Sequence, residues 1–253
     1  MWLNELYKRW TGRPAIGQVL SSRAARRRGL RPSLEQLEDR TVPSLGTGAD
    51  TFLVKDINPG SDGSLVLNSE MIDVNGTLFF AARDAASGFE LWKSDGTAAG
   101  TVLVKDVYPG GFLQSNHGNP TGTTNVDGTL FFAADDGTHG SELWKSDGTE
   151  AGTVLVKDIY PGNNAYGRNS SEPRNLTNFS GTLFFTAYDP LHGWELWKSD
   201  GMEAGTVLVK DINPGSGDSL PGSFTNVNGA LFFSTFSGLW KIILQMRLIF
   251  PKN

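Results

Sequence analysis

The 253-residue chain has no cysteine, only three histidines and 19% charged residues. Each of these low counts excludes or disfavours particular kinds of protein or site. Without cysteine there is no disulfide framework, no thiol nucleophile and no cysteine-ligated zinc or iron–sulfur site. His117, His139 and His192 all fall in predicted loops without unique partners, which argues against a catalytic triad or a histidine metal cluster. No apolar run reaches the roughly 18 residues that a membrane-spanning helix needs.

Charge is unevenly distributed along the chain. Residues 1–45 carry nine Lys or Arg against four Asp or Glu, whereas the remainder carries thirteen against twenty-three. The front is therefore a separate basic segment, predicted to be disordered or partly helical. The acidic body argues against nucleic acid as a partner, because binding phosphates requires a cationic face.

What the chain has in abundance is glycine, with 31 residues, and large aromatics, including 15 Phe and 7 Trp. Short segments that contain these residues recur about every fifty positions, a spacing typical of stacked repeats. The string Leu-Val-Lys-Asp ends at Asp56, Asp106, Asp158 and Asp211; Glu-Leu-Trp-Lys-Ser-Asp-Gly contains Trp92, Trp144 and Trp197; Leu-Phe-Phe is centred on Phe79, Phe131, Phe184 and Phe232. Four repeats therefore span residues 50–240.

Turn residues divide each repeat into four short antiparallel strands, which we number from the Leu-Val-Lys segment. The Leu-Phe-Phe and Val-Leu-Val segments are apolar on both faces, so each sheet needs a neighbour on either side. This predicts an all-β, propeller-like array of four four-stranded blades. Four is the lower limit for a closed propeller, so an incomplete ring is also consistent with the pattern. A β-solenoid and a row of separate sheets are the less favoured alternatives.

The repeat resembles a known family. Glu90–Thr97 and Glu142–Thr149 both read Glu-Leu-Trp-Lys-Ser-Asp-Gly-Thr, and Glu195–Gly201 matches apart from the Met202 that follows. These segments resemble the ELWxxDGT repeat of large bacterial surface and secreted proteins. The resemblance implies an exported, extracellular or cell-surface location, and it supplies no catalytic residues.

The basic segment carries a second resemblance. Residues 34–40 read Leu-Glu-Gln-Leu-Glu-Asp-Arg, closed by Val-Pro-Ser. This is similar to a Leu-Glu-x-Leu-Glu-Asp-Arg segment near the N-terminus of exported proteins of certain environmental bacteria, and it implies a sorting or targeting role for residues 1–45. On composition alone, a disordered tail that binds anionic surfaces is the alternative.

The fourth repeat departs from the others after its Leu-Phe-Phe triplet. Residues 241–253 replace the expected Ser-Asp-Gly turn with an aberrant, largely apolar tail. We therefore expect a terminal blade with an exposed edge that favours self-association. A truncated fragment of a larger surface protein remains an alternative.

The most regular polar pattern is Asp-x-x-x-Gly-x-Glu, one copy in each intact repeat. A hairpin that brings two carboxylates together could bind calcium through oxygen ligands. The favoured interpretation is structural, with Asp capping the turn and Glu closing the strand, because a catalytic site is normally unique. In the calcium alternative the ligands would be Asp84, Glu90, Asp136, Glu142, Asp189 and Glu195. No other metal or cofactor is predicted.

The Ser-Asp-Gly-Thr turns resemble the Asp-box, a hairpin motif of sialidase-type propellers, which implies a folding element and no catalysis. The predicted structural turn residues are Asp95, Gly96, Asp147, Gly148, Asp200 and Gly201. In each pair the Asp side chain should accept backbone hydrogen bonds, and the Gly should take the left-handed conformation.

The loops that follow Pro59, Pro109 and Pro161 vary while the strands repeat. This favours a noncatalytic scaffold that binds a protein or a glycan through those loops. Candidate contact aromatics near them are Phe89, Trp194, Tyr108, Tyr160 and Tyr166. The rival hypothesis is a propeller-type glycan hydrolase or lyase using loop carboxylates such as Asp136 and Glu142.

Overall fold

The fold was analysed in a computed structural model. The residues that the structure describes are 50–60, 63–65, 70–109, 118–164 and 167–244. The basic segment 1–45, the tail beyond residue 244, His117 and Tyr166 lie outside the described residues. The targeting role and the disorder or partial helicity expected for residues 1–45 therefore stay predictions.

The described residues form seventeen β-strands and no helix, as the repeat pattern predicted. The first sheet contains β1 (Met71–Val74), β2 (Thr77–Asp84), β3 (Gly88–Ser94) and β4 (Val102–Lys105). The second contains β5 (Thr121–Val126), β6 (Thr129–Asp135), β7 (Ser141–Ser146) and β8 (Val154–Lys157). A small hairpin, β9 (Asn163–Asn164) and β10 (Gly167–Arg168), follows.

The third sheet contains β11 (Arg174–Phe179), β12 (Thr182–Asp189), β13 (Gly193–Ser199) and β14 (Val207–Lys210). The fourth contains β15 (Gly222–Val227), β16 (Ala230–Thr235) and β17 (Gly238–Ile243). In every sheet each strand pairs antiparallel with the next one along the chain. The molecule is thus the all-β array of antiparallel sheets expected from the repeats, with three strands described in the last sheet.

The boundary of the repeating unit differs from the one assigned by sequence. The Leu-Val-Lys strand is the fourth strand of its sheet, and it pairs with the Glu-Leu-Trp strand that precedes it, as in Trp92 opposite Leu103. The reason is the turn between them, because Ser94 Oγ and Thr101 Oγ1 lie 2.7 Å apart and hold the two strands together. The unit therefore begins at the strand before Leu-Phe-Phe.

Each sheet is apolar on both faces because the Leu-Phe-Phe strand alternates sides at every residue. Phe79 belongs to the cluster shared with the second sheet, whereas Phe80 packs on the opposite face with Trp92 and Ile57. Phe131 and Phe132 divide in the same way between the clusters on either side of the second sheet. Burying each of these rings contributes about 1.5–3 kcal/mol to folding.

The sheets are stacked in chain order. One cluster joins Phe79 and Leu91 of the first sheet to Phe132 and Trp144 of the second, and equivalent clusters join the second to the third and the third to the fourth. A stack of four-stranded antiparallel sheets in chain order is the arrangement of propeller blades.

Repeated hydrogen bonds reinforce each sheet–sheet boundary. Lys105 Nζ donates to the Thr153 carbonyl at 3.0 Å, and Lys157 Nζ donates to the Thr206 carbonyl at the same distance. The first strands are also tied together, since the Asn178 side-chain Nδ2 donates to the Asn125 backbone carbonyl at 3.0 Å. These bonds fix successive sheets in one mutual orientation.

Candidate functional site

The antiparallel order places two kinds of connection at opposite ends of every sheet. The tight turns between first and second strands and between third and fourth strands share one end, which we call the turn end. The hairpins between second and third strands and the connections to the next sheet share the other, which we call the loop end. The variable residues noted in the sequence therefore collect at the loop end.

The Ser-Asp-Gly turns lie at the turn end and are closed by local hydrogen bonds. Asp147 Oδ1 accepts from the Thr149 amide at 2.8 Å and from its hydroxyl at 2.7 Å. Thr149 Oγ1 in turn accepts from the Gly152 amide at 3.0 Å. Gly148 has a φ of 86°, in the region that favours glycine. Asp95 and Gly96 in the first sheet repeat this arrangement.

In these turns the aspartate is hydrogen-bonded within its own turn, and this bonding affects its pKa. The hydrogen bond from the Thr97 hydroxyl lowers the pKa of Asp95, and the same bond from Thr149 lowers the pKa of Asp147. In the third turn, Asp200 accepts from the Met202 amide, and the Gly205 amide donates to the Met202 carbonyl at 3.1 Å instead of to a threonine hydroxyl. The carboxylates are thus engaged with their own turns.

A crevice of about 210 Å³ opens at the turn end between the second and third sheets. Asp127, Lys145 and Asp200 are among its lining residues. It lies away from the variable loops and the aromatic residues of the loop end.

The aspartates of the Asp-x-x-x-Gly-x-Glu pattern lie at the loop end, in the hairpins between second and third strands. Asp84 Oδ1 accepts from the Ala86 and Ser87 amides, at 2.9 and 2.7 Å. Asp136 and Asp189 accept equivalent amide bonds and also contact His139 and His192 through Nδ1. Each aspartate therefore caps its own hairpin.

The two histidines serve these hairpins. The carboxylate of Asp136 raises the pKa of His139, chiefly through their 2.7 Å hydrogen bond. Desolvation opposes ionisation of Asp136, but the hydrogen bonds from His139 and Thr138 outweigh it and lower the pKa of Asp136. The equivalence of His139 and His192 identifies both as repeated hairpin residues.

The glutamates of the pattern point elsewhere, into the protein. Glu90, Glu142 and Glu195 are fully buried. Glu142 accepts from the amides of Ile159 and Ser171, at 3.0 and 2.8 Å, and from the Ser171 hydroxyl at 2.5 Å. Each glutamate in this way anchors the connection that leaves the fourth strand of its own sheet.

Burial shapes the ionisation of these groups. Desolvation raises the pKa of Glu90 and of Glu142 to about 7, although the backbone hydrogen bonds act in the opposite direction. Desolvation also raises the pKa of Asp106 and Asp158, which end the Leu-Val-Lys strands. The first and the second sheet thus each hold, near the loop end, one glutamate and one aspartate with a raised pKa.

The six candidate calcium ligands, one Asp and one Glu in each of three repeats, bind different parts of the fold. Each Asp bonds to its own hairpin, whereas each Glu bonds to the following connection. Over residues 50–244, as far as they are described, no group of three or more acidic or histidine side chains could hold a metal ion.

Aromatic side chains meet at the loop end of the third sheet. Tyr160 lies 5.4 Å from Tyr188, and Tyr188 lies 5.9 Å from Trp194, measured between ring centroids. The guanidinium of Arg174 stands 4.4 Å from the Trp194 ring. We call Tyr160, Tyr188 and Trp194 the aromatic row; all three rings are partly exposed, and Arg174 is exposed.

The sequence singled out Tyr160 and Trp194 but missed Tyr188 and Arg174. Tyr188 lies opposite Trp194 in the register of β12 and β13, and the matching pairs are Asp135–Ser141 in the second sheet and Arg83–Phe89 in the first. These register pairs vary while the flanking strands repeat. A position-by-position comparison of the repeats could have identified Tyr188, because its position varies between them.

The remaining candidate aromatics are more dispersed. Tyr108 faces Arg168, whose guanidinium lies 5.5 Å from its ring and also pairs with Asp135 at 3.2 Å. Phe89 faces Arg83 in the first sheet at 6.0 Å. Each of the first three sheets thus presents its own combination of aromatic and charged groups at the loop end.

Comparison with known proteins adds little to the description of this chain. No protein-family model and no curated protein matches the chain. Among solved structures, an endo-1,4-beta-xylanase from Bacteroides thetaiotaomicron aligns with a TM-score of 0.33 and 12% identity, over 68% of this chain and 63% of that enzyme. The chain therefore spans less than two thirds of that structure, and so weak a likeness carries nothing about activity. The described residues include no helix that could cross a bilayer.

Proposed function

We propose that this chain is a noncatalytic extracellular scaffold that binds a glycan or a protein at its loop end. The observation that carries the proposal is the aromatic row with Arg174 beside it. Tyrosine, tryptophan and arginine are the residues that dominate binding energy at interfaces, because they offer large rigid surfaces with a polar group attached. Their convergence on variable positions of a repeated frame is typical of a recognition surface.

The carboxylates favour binding over catalysis. Glu90, Glu142 and Glu195 are fully buried and accept hydrogen bonds from the connections that they anchor. A glycosidase needs two carboxyl groups facing the same glycosidic bond. Because the same structural use recurs in three sheets, we assign these residues to the scaffold.

The test uses substitutions that the fold already accommodates. Ser141 occupies in the second sheet the position of Trp194 in the third, so Trp194→Ser should fold normally. The full-length chain and this variant would be applied to a printed glycan array and to a peptide display library. Losing one aromatic anchor of about 2 kcal/mol weakens binding by about thirtyfold.

Phe89→Ser is the matched control, because it makes the same change at the equivalent position of the first sheet. We expect it to leave binding unchanged. A ligand bound equally well by both variants and the parent chain would contradict the proposal, as would the absence of any ligand in both libraries. Release of cleaved sugar from an array glycan would instead support the glycan-active enzyme.

A further inference from the structure

The first described segment repeats a later one. Residues 53–61 read Leu-Val-Lys-Asp-Ile-Asn-Pro-Gly-Ser, identical to residues 208–216. The later copy supplies β14 and the connection that follows it. The early copy therefore carries the sequence of a fourth strand, although no first, second or third strand of its own precedes it among the described residues.

Residues 52–57 also take the position of a fourth strand against the next sheet. Lys55 Nζ donates to the Thr101 carbonyl at 2.6 Å, matching the bond from Lys105 to Thr153. Ile57 packs on the outer face of the first sheet, against Phe80 and Trp92. The third strand that would pair with residues 52–57, however, is absent from the described residues. The side chains of Phe52 and Leu53 are both 79% exposed.

The fourth sheet has the opposite deficiency. The register of β16 and β17 places Phe233 opposite Trp240, as Phe80 lies opposite Trp92 in the first sheet. No described strand, however, borders the far edge of β17. On its outer face Leu239 is 76% exposed, whereas its counterpart Leu91 is fully buried in the cluster shared with the next sheet.

The two outer faces lack matching partners. Between consecutive sheets, Phe79 approaches Gly148 and Phe131 approaches Gly201, so that a β-carbon on either glycine would stand about 3 Å from the ring. The equivalent Gly96 has no neighbour within 4 Å of that position. In the fourth sheet Phe232 holds the position of Phe79 and Phe131, so its ring is the one that would cover a glycine equivalent to Gly96. Phe232 is only partly buried, whereas Phe79 and Phe131 are buried.

We propose that the fourth sheet binds the first sheet of a second copy of this chain, whose residues 52–57 add to β17 as its missing fourth strand. Pairing at a free strand edge supplies backbone hydrogen bonds, and the stacked faces supply the apolar contact. The interface is head to tail. Two copies joined at both ends form a closed ring of eight sheets, within the four to eight blades of known propellers.

The internal sheets fix the expected register. Because Trp92 lies opposite Leu103 and Lys93 opposite Val102, Trp240 should lie opposite Leu53 of the second copy, and Lys241 opposite its Phe52. A second copy is favoured over the same chain because residues 52–57 form no bridge with β17 in the structure.

The cysteine-free chain permits a direct test by cross-linking. Two full-length single variants, Phe52→Cys and Lys241→Cys, would be mixed and oxidised. Residues opposite one another on antiparallel strands lie about 4.5–5.5 Å apart, within reach of a disulfide. We expect a disulfide heterodimer at about tenfold the level obtained with Lys241→Cys and Ala85→Cys, because Ala85 lies in the hairpin at the opposite end of the first sheet. Light scattering of the unmodified chain should approach twice its 27.4 kDa mass.

The chain carrying both cysteines separates the alternatives. Loss of both thiols without a covalent dimer would show that the chain closes on itself and would overturn the proposal. Free thiols in the double-cysteine variant, together with a monomeric parent chain, would also overturn the proposal. In that case residues 52–57 of neither the second copy nor the same chain would pair with β17. Phe52→Lys should weaken dimerisation several-fold through repulsion from Lys241, whereas Phe52→Glu should not.

Discussion

Gly152 lies directly against the carboxylate of Asp147. A β-carbon on Gly152 would stand 2.1 Å from Asp147 Oδ1, and Gly100 and Gly205 have the same relation to Asp95 and Asp200. No real β-carbon approaches an oxygen so closely, so the Asp147 carboxylate must move away from its hydrogen bonds with Thr149 if any side chain is added. Gly152 is thereby required by packing within the turn.

We predict that Gly152→Ala lowers the free energy of unfolding by about 1–3 kcal/mol, because moving the Asp147 carboxylate breaks its two hydrogen bonds with Thr149. Urea denaturation measures the change. Gly63→Ala is the matched control, because its β-carbon would meet only the Leu65 carbonyl at 3.9 Å and should change stability by less than about 0.5 kcal/mol. Equal effects of both substitutions would show that the turn readily relaxes.

The third turn offers the reverse experiment. Met202 replaces the threonine whose hydroxyl, in the first two turns, donates to aspartate and accepts from glycine. We predict that Met202→Thr restores both hydrogen bonds with Asp200 and Gly205 and stabilises the protein by about 0.5–1.5 kcal/mol. Thr149→Met should destabilise by a similar amount. A lower thermal midpoint for Met202→Thr would contradict this account.

The turn and strand content of the fold could be predicted because it depends on local sequence. Tandem apolar residues such as Phe79 and Phe80 require neighbours on both faces, and this predicts stacked sheets. The pairing of the Leu-Val-Lys strand was assigned wrongly, because the choice depends on side-chain bonds such as Ser94–Thr101 that the strand pattern does not reveal.

The environment of the glutamates could not be predicted for a different reason. Glu142 bonds to Ile159 and Ser171, 17 and 29 positions away, and Ser171 lies in a loop whose sequence varies between repeats. Arg174 reaches Trp194 from a strand with no aromatic or charge pattern of its own. Contacts of this kind depend on how the connections fold over the sheet, which periodicity does not encode.

Glu142 should contribute mainly to stability. We predict that Glu142→Leu leaves the amides of Ile159 and Ser171 buried without an acceptor and destabilises the protein by about 2–4 kcal/mol at pH 5. Glu90→Leu should cost about as much, because its two backbone contacts are equivalent. Glu150→Leu, at an exposed turn, is the control. A large effect at only one of the two buried sites would indicate a specialised role there.

The raised pKa values of Glu90 and Glu142 predict a pH dependence of stability. Each value moves from 4.5 to about 7, so the folded protein retains protons that the unfolded chain releases. Their contribution is complete below pH 4.5 and is lost as the pH rises toward 7. We therefore expect the free energy of unfolding to fall over this interval, measured by urea titration at successive pH values.

The double variant Glu90→Gln with Glu142→Gln tests the assignment, since neither amide titrates. Its unfolding free energy should vary less between pH 4.5 and 7 than that of the parent chain. His139, whose pKa is raised by Asp136, adds a loss of the same sign only above its ordinary value of 6.5, and it remains in both proteins. Parallel curves for parent and variant over the whole interval would show that the two glutamates are ionised in the fold already at acidic pH, held so by their backbone donors.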